Sequence, residues 1–410
     1  MTSPTLRRTA VAALTTSALA LGACTGGFAE EQTTSTGPTR LRVLVAASSD
    51  VELAAVRRSV AGWATRTGST VEVSAAARLT EELAKGFAGG SPPDLFYVEP
   101  AMLGTYAKAG NLYAYGDQVA DVPYLPALTR TFTYRGRLQC APKDFSTLAL
   151  VIDQERWEAA GLTASDLPRD WAQLRTVAAR LTRDGAVGLV LAPELQRVGA
   201  FMTQAGGWVL SPDGGTLTIS SPANVHALQE IRRLLDTGHA RLTTQVDAGW
   251  AGQALVDRRA AMVIEGNWVR GALAKDAPGR RITVAELPAG PVGRGTLMFT
   301  TCWGIAAASP HRDAAVDLVR HLGSDTEQLA AAKAFGVMPS TTSAMRSYAR
   351  QAPQDAAFVK GASYGRGMPN LPGFSAVVDE LNAHLQTLPT TEAGVLLRDA
   401  QRVAEPALQE

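Results

Sequence analysis

From Arg40 onward the chain alternates between two hydrophobic periods, and that alternation limits its fold more than any other feature. "LRVLVAASS" is a compact apolar run bounded by small polar residues, which predicts a strand. "DVELAAVRRSVAGWATRTG" places Val56, Val60 and Trp63 at helical spacing and ends on Gly68. "TVEVSAA" predicts the next strand, "LTEELAKGFAGG" a helix with Leu79, Leu83 and Phe87 on one face, and "SPPDLFYVEP" a third strand. Strand, helix, strand, helix, strand implies a parallel sheet with helices on its faces. The middle of the chain repeats this style. "DWAQLRTVAARLTRDG" and "SPANVHALQEIRRLLDTGH" predict helices, the second with Ser221 as N-cap and Pro222 at its first position. "AVGLVLA", "AAMVIEG", "RITVAEL" and "TTCWGIAAAS" predict strands. Ser324 with Glu327 forms a capping box, and "GFSAVVDELNAHLQTL" is a late amphipathic helix. With 410 residues, two α/β lobes are expected.

The first residues are a different material. "MTSPTLRR" is basic, "TAVAALTTSALALGA" is apolar and uncharged, and Cys24 follows. This is a signal peptide, too short in its apolar part for a comfortable membrane span of about 20 residues. The ending Leu21-Gly22-Ala23-Cys24 resembles a bacterial lipobox, in which the cysteine carries the lipid. Residues 1–23 are then the leader, and the polar stretch 24–39 a flexible tether from a membrane anchor at Cys24. An ordinary secreted protein with a chance cysteine is the alternative. A formal net charge of +1, with no single-sign run, excludes nucleic acid or an anionic membrane surface as a bulk-charge partner. Only Cys140 and Cys302 remain, and outside the cytoplasm two cysteines can pair. The five histidines are scattered without a ligand spacing, so no metal site and no cofactor is expected.

"GASYG", residues 361–365, fits the G-x-S-x-G pattern of a nucleophile elbow, and Asp379 and His384 follow in triad order. An elbow needs a strand before the serine and a helix after it. Here a Pro-started helix precedes Ser363, and "GRGMPNLPG", broken by prolines and glycines, follows. Asp379 and His384 lie five residues apart on one predicted helix, about 140° apart in direction. The stretch reads as an irregular loop, and the protein as a non-enzyme.

Taken in order, several phrases resemble the extracellular solute-binding proteins of ABC importers, in particular the sugar-binding class that includes maltose-binding protein. "SPPDLFYVEP" looks like that family's P-D-[VLI]-[FV] strand, and "GNLYAYGDQV" like its G-x-L-x-x-L-D step. "YRGRLQCAPKDFSTLALVIDQERWEAAGL" is similar to its hairpin and the strand into the second lobe. "PRDWAQLRTVAARLT" resembles P-x-[TD]-W-x-[ED]-L, with Gln173 in place of an acid. "ALVDRRAAMVIEGNWVRGAL" resembles F-x-x-G-[KR]-A-A-M-x-x-x-G-x-W, with Leu255 and Asp257-Arg258 departing from it. "LPAGPVGRG" and "CWGIAAASPHRDAAVDLVRHLGSDTEQLAAAKAFGVMPS" are similar to the return crossing, helix and G-x-x-P ending. The resemblance covers about residues 40–405.

It implies a type II periplasmic-binding-protein-like fold: two α/β lobes, a hinge of crossing strands and a ligand cleft between the lobes. Lobe 1 would take residues 40–145 and 302–345, and lobe 2 residues 146–301 and 346–410. Crossings are expected near 140–150 and 298–305, with a third near 345–365. Cys140 and Cys302 would then sit on adjacent crossing strands and form a disulfide, two buried free thiols being the alternative. The implied role is a monomeric binding component that captures a carbohydrate and delivers it to permease subunits. A glycerophosphodiester or amino compound is the alternative cargo.

Sugar binding wants a flat aromatic surface for the C–H face of the ring and planar donors and acceptors for its hydroxyls. Trp208, Trp268 and Trp303 fall beside Gly or Asn at predicted element ends, where a doubly wound lobe presents its ligand contacts. Trp268 is the best stacking candidate, a core tryptophan being the alternative. Trp63, Trp157 and Trp171 lie in helical patterns and belong to the core. The polar candidates are Ser48, Ser49, Glu99, Asp144 with Phe145, Glu265, Asn267 and Arg366. Ser48 and Ser49 follow a strand, where a serine also caps a helix.

Overall fold

The computed structural model describes residues 39–408. The leader (1–23), Cys24 and the tether as far as residue 38 lie outside the described residues. The first lobe is built on three parallel strands, β1 (Arg40–Val45), β2 (Thr70–Ala75) and β3 (Leu95–Val98), in the order β2-β1-β3. Helices Asp50–Thr67 and Leu79–Ala88 connect them. Leu41, Val43 and Val45 alternate inward along β1 and meet Trp63 and Phe96 in a buried cluster. A small hairpin, β4 (Thr133–Tyr134) with β5 (Arg137–Leu138), precedes the long strand β6 (Ala141–Asp153).

The second lobe repeats the scheme. Strands β7 (Val187–Leu191), β8 (Ala240–Leu242) and β9 (Ala260–Gly266) are parallel, and β10 (Ile282–Ala285) pairs antiparallel with β6. Strand β11 (Thr296–Ile305) then returns to β3. The apolar alternation of β6 serves two cores at once. Leu148, Leu150 and Ile152 join the cluster containing Trp171 and Phe201, while Ala149 and Val151 join the one containing Val263 and Phe358. All thirteen residues of β6 are buried.

Strands β6 and β11 are the crossing pair that joins the lobes. They run antiparallel from Met298 opposite Thr147 to Trp303 opposite Ala141, with a bulge between Thr301 and Cys302. The second half of β6 leaves β11 and pairs with β9 instead. Cys140, just before β6, is disulfide-bonded to Cys302 of β11, with Cα atoms 5.6 Å apart. The two-lobed α/β architecture and the crossings near 140–150 and 298–305 are therefore present. The third crossing expected near 345–365 is helical over most of its length, and only at its end does Gly365 enter a strand that pairs with β11. The helices are Thr342–Gln351 and Ala356–Gly361, and the segment that pairs with β6 there is β12 (Met338–Pro339), opposite Phe145 and Asp144.

A further link runs through residues 367–373, after β13 (Gly365–Arg366), which pairs with β11. Asn370 Nδ2 donates to the carbonyls of Thr131 and Thr133 at 2.7 and 2.9 Å, and Gly373 N to Thr105 Oγ1 at 3.3 Å. A methyl group on Gly104 would lie 2.2 Å from the Asn370 carbonyl oxygen, so only glycine permits this approach. The chain then closes on the second lobe, where helices Phe374–Leu385 and Ala393–Ala404 bury Leu381, Leu385, Leu396 and Leu397.

Candidate functional site

In each lobe the parallel strands end at the same place, and the segments after them turn toward the hinge. Strand β1 leads to Ser48, β3 to Glu99, β7 to Glu194 and β9 to Trp268. The carboxyl ends of parallel strands are where a doubly wound sheet opens a crevice. A cavity of about 550 Å³ lies there, within the range of small-ligand sites. The first lobe gives it Ser48, Glu52, Tyr97 and Glu99; the crossing strands give Lys143, Asp144, Phe145 and Phe299; the second lobe gives Glu194, Arg197, Trp268 and Asp379.

On the first-lobe side the polar groups form one connected set. Glu52 accepts from Ser48 N and Ser48 Oγ, both at 2.7 Å, from Tyr97 OH at 3.0 Å and from Lys143 Nζ at 2.9 Å. Lys143 also donates to Asp144 and lies 4.7 Å from the centre of the Tyr97 ring. Burial pushes the Glu52 carboxyl up, but the Lys143 ammonium and the hydrogen bonds outweigh it and hold it below its usual range. Burial pushes Asp144 up further than Lys143 pulls it down. Burial works against the charge on Lys143, yet the carboxylates around it hold its ammonium well above the usual value. Glu99 has no ion-pair partner among the described residues, and loss of hydration pushes its carboxyl up.

On the second-lobe side an arginine lies over two aromatic rings that meet edge to face. The Arg197 guanidinium carbon is 5.5 Å from the centre of the Trp268 ring and 5.3 Å from that of Phe299. Phe299 meets Trp268 edge to face at 5.0 Å. One oxygen of Glu265, Oε2, accepts from Arg197 Nη2 at 2.8 Å and from Trp268 Nε1 at 2.9 Å. Burial pushes the Glu265 carboxyl up against the pull of Arg197. Trp268 keeps a half-buried surface on the cavity.

Of the residues expected from the sequence, Ser48, Glu99, Asp144, Phe145 and Trp268 line this cavity. The other six have different surroundings. Ser49 caps helix Asp50–Thr67, its Oγ accepting from Glu52 N at 3.2 Å. Trp303 is 3% exposed in the first-lobe core, edge-on to Tyr97 at 4.9 Å. Trp208 is 5% exposed in the second-lobe core, and Arg366 lies over its ring at 4.7 Å, so these two engage each other and not the cavity. Glu265 is buried behind Trp268, and Asn267 is buried with its Oδ1 accepting from Ser146 Oγ. Sequence reading missed Glu52, Lys143, Glu194 and Arg197. The last two sit on or beside helix Leu195–Gln204, whose apolar spacing of Leu195, Val198 and Met202 was a usable signal.

Ser363 sits in no elbow. It follows helix Ala356–Gly361, its Oγ donates to the Lys360 carbonyl at 2.8 Å, and the irregular segment 367–373 comes soon after. His384 stays on its own helix, 3.2 Å from the Glu380 carboxylate.

A family model for bacterial extracellular solute-binding proteins matches residues 60–358. A probable ABC transporter-binding protein of Deinococcus radiodurans is 25% identical over 299 residues, covering 66% of this chain and 69% of that protein. Among solved structures, the ABC substrate-binding protein Lmo0181 of Listeria monocytogenes, in complex with cycloalternan, has a TM-score of 0.81 at 17% identity, over 91% of this chain and 100% of its own. The GacH receptor of Streptomyces glaucescens, described with acarbose, has a TM-score of 0.78 at 21% identity, over 91% and 100%. A cyclo/maltodextrin-binding protein complexed with maltotetraose has a TM-score of 0.77 at 22% identity, over 92% and 99%. At these identities the structural likeness carries the fold.

Proposed function

The chain belongs to the bacterial extracellular solute-binding proteins, and from that premise we propose that it captures a neutral sugar or oligosaccharide outside the membrane for an ABC permease. The observation that carries this reading is the make-up of the cleft. It offers a half-buried indole for the C–H face of a ring, with carboxylates at Glu99 and Asp379 free to accept from hydroxyls. The relatives in fold described with cycloalternan, acarbose and maltotetraose support the same ligand class.

Charge weighs against a phosphodiester. The cavity holds five carboxylates, Glu52, Glu99, Asp144, Glu194 and Asp379, against Lys143 and Arg197. Both cations are already engaged by carboxylates of the chain. A phosphate needs free Arg, Lys or helix N-termini. Binding without catalysis fits the Ser363 geometry. Anchoring through a lipid on Cys24 completes the proposal, since a tethered receptor stays near its permease.

A thermal-shift screen of the purified protein against mono-, di- and oligosaccharides, glycerophosphodiesters and amino acids tests it. A ligand at 100 times its dissociation constant stabilises the folded state by about 2.7 kcal/mol. A selective shift with a sugar is the expected result. A shift with a phosphodiester or an amino acid alone would keep the importer role and replace the cargo.

A further inference from the structure

We infer that Glu265 is a positioning residue for the cleft: its single oxygen Oε2 holds the indole of Trp268 and the guanidinium of Arg197 in register, so that the ring presents a fixed surface to the ligand. The geometry is specific. Trp268 Nε1 and Arg197 Nη2 converge on the same atom at 2.9 and 2.8 Å. Glu265 is fully buried and does not line the cavity, so it meets no ligand itself. Its other oxygen, Oε1, has no hydrogen-bond partner among the described residues. The carboxylate thus acts through one oxygen. Trp268 follows Gly266 and Asn267 at the end of β9, where the strand has already ended. A methyl group on Gly266 would lie 2.2 Å from the indole, so the backbone fits closely against the ring. Backbone packing bounds the indole on one side, and the Glu265 oxygen fixes its rotation. Arg197, lying over both Trp268 and Phe299, ties the indole to strand β11 of the hinge.

The two oxygens of Glu265 make unequal predictions. Glu265→Gln can keep an oxygen at the Oε2 position and place its amide nitrogen where Oε1 now has no donor. Glu265→Leu removes the shared acceptor, while Arg197 retains Glu194 at 3.5 Å. The chain has seven tryptophans, so Trp268 is isolated by subtracting the emission of a matching Trp268→Phe protein. In Glu265→Leu the Trp268 emission should shift to the red and its acrylamide quenching should rise at least about twofold, because the freed indole meets water. In Glu265→Gln both should stay at the wild-type value.

The fluorescence arm needs no ligand. The affinity arm rests on the sugar-binding reading and uses maltotetraose as probe. It should show about a tenfold or larger loss in Glu265→Leu and less than about threefold in Glu265→Gln. Unchanged Trp268 emission in a folded Glu265→Leu protein, checked by its melting curve, overturns the inference. Equal damage in the Gln and Leu variants overturns it too, since the shared oxygen would not be the cause. If wild type binds no sugar, the cargo reading fails while the fluorescence still decides the role of Glu265.

Discussion

Lys143 is the residue on which the first-lobe half of the cleft turns. It carries a buried charge on a strand that crosses between lobes, and it survives there because Glu52 and Asp144 flank it. Removing one partner of a buried pair leaves a charge uncompensated. Glu52→Gln should therefore cost about 1–3 kcal/mol at pH 7, less than a full break because Asp144 remains. Urea unfolding at pH 7 measures it. The pH dependence has a definite sign. The Glu52 carboxyl is held below its usual value in the folded state, so its contribution is present above the unfolded pKa, near 4.3. That contribution is lost as pH falls through the folded value. The stability gap between wild type and Glu52→Gln should accordingly be flat at neutral pH and shrink below about pH 4. A gap that widens in acid would show the opposite sign and remove this account of Glu52. Raised Asp144 acts in the other sense, which is why the difference between the two proteins, and not the wild-type curve, is the quantity to read.

At the scale of elements, local patterns carried most of the fold and only part of the site. The helix Asp50–Thr67 was readable from Val56, Val60 and Trp63, and its Gly68 stop adopts a left-handed backbone with φ 69°. The helix Leu195–Gln204 was overlooked, and with it Arg197. Arg197 becomes a site residue only through contacts 68 to 102 positions away, with Glu265, Trp268 and Phe299, which no local spacing encodes. Trp303 and Trp208 had the right neighbours for a cleft tryptophan, Gly and the end of an element. They differ from Trp268 in being buried, 3% and 5% exposed, away from the cavity, and burial is set by packing of distant elements. The segment 367–373 makes a prediction of its own. Gly104→Ala places a methyl group against the Asn370 carbonyl, and the strap must shift or the helix Pro100–Lys108 must move. A loss of about 1–3 kcal/mol in chemical unfolding is expected, in the range of overpacked sites. A neutral result would mean that the strap moves freely and does not hold the lobes.

On the scale of the whole molecule, three buried clusters meet at one antiparallel pair, β6 with β11, and Cys140 with Cys302 fixes that pair at its first-lobe end. The bridge spans 162 positions in sequence, so it restrains a large part of the unfolded chain. Replacing both cysteines by alanine should lower stability by about 2–5 kcal/mol. Intact mass before and after reduction should differ by two hydrogen atoms, and the absence of that difference would remove the bridge. The first half of β6 is held to β11 and its second half to β9 and β10, so this one strand belongs to both lobes, as the crossing strand of a two-lobed receptor that closes by a hinge motion must.

The most direct test of the account is a calorimetric titration of wild type and Trp268→Ala with the sugar that gives the largest thermal shift. The account predicts one saturable site in wild type and an affinity at least about tenfold weaker in the variant, since packing of the sugar's C–H face on the indole is replaced by an open gap. Equal affinity in the two proteins, or binding of a phosphodiester where no sugar binds, would contradict it.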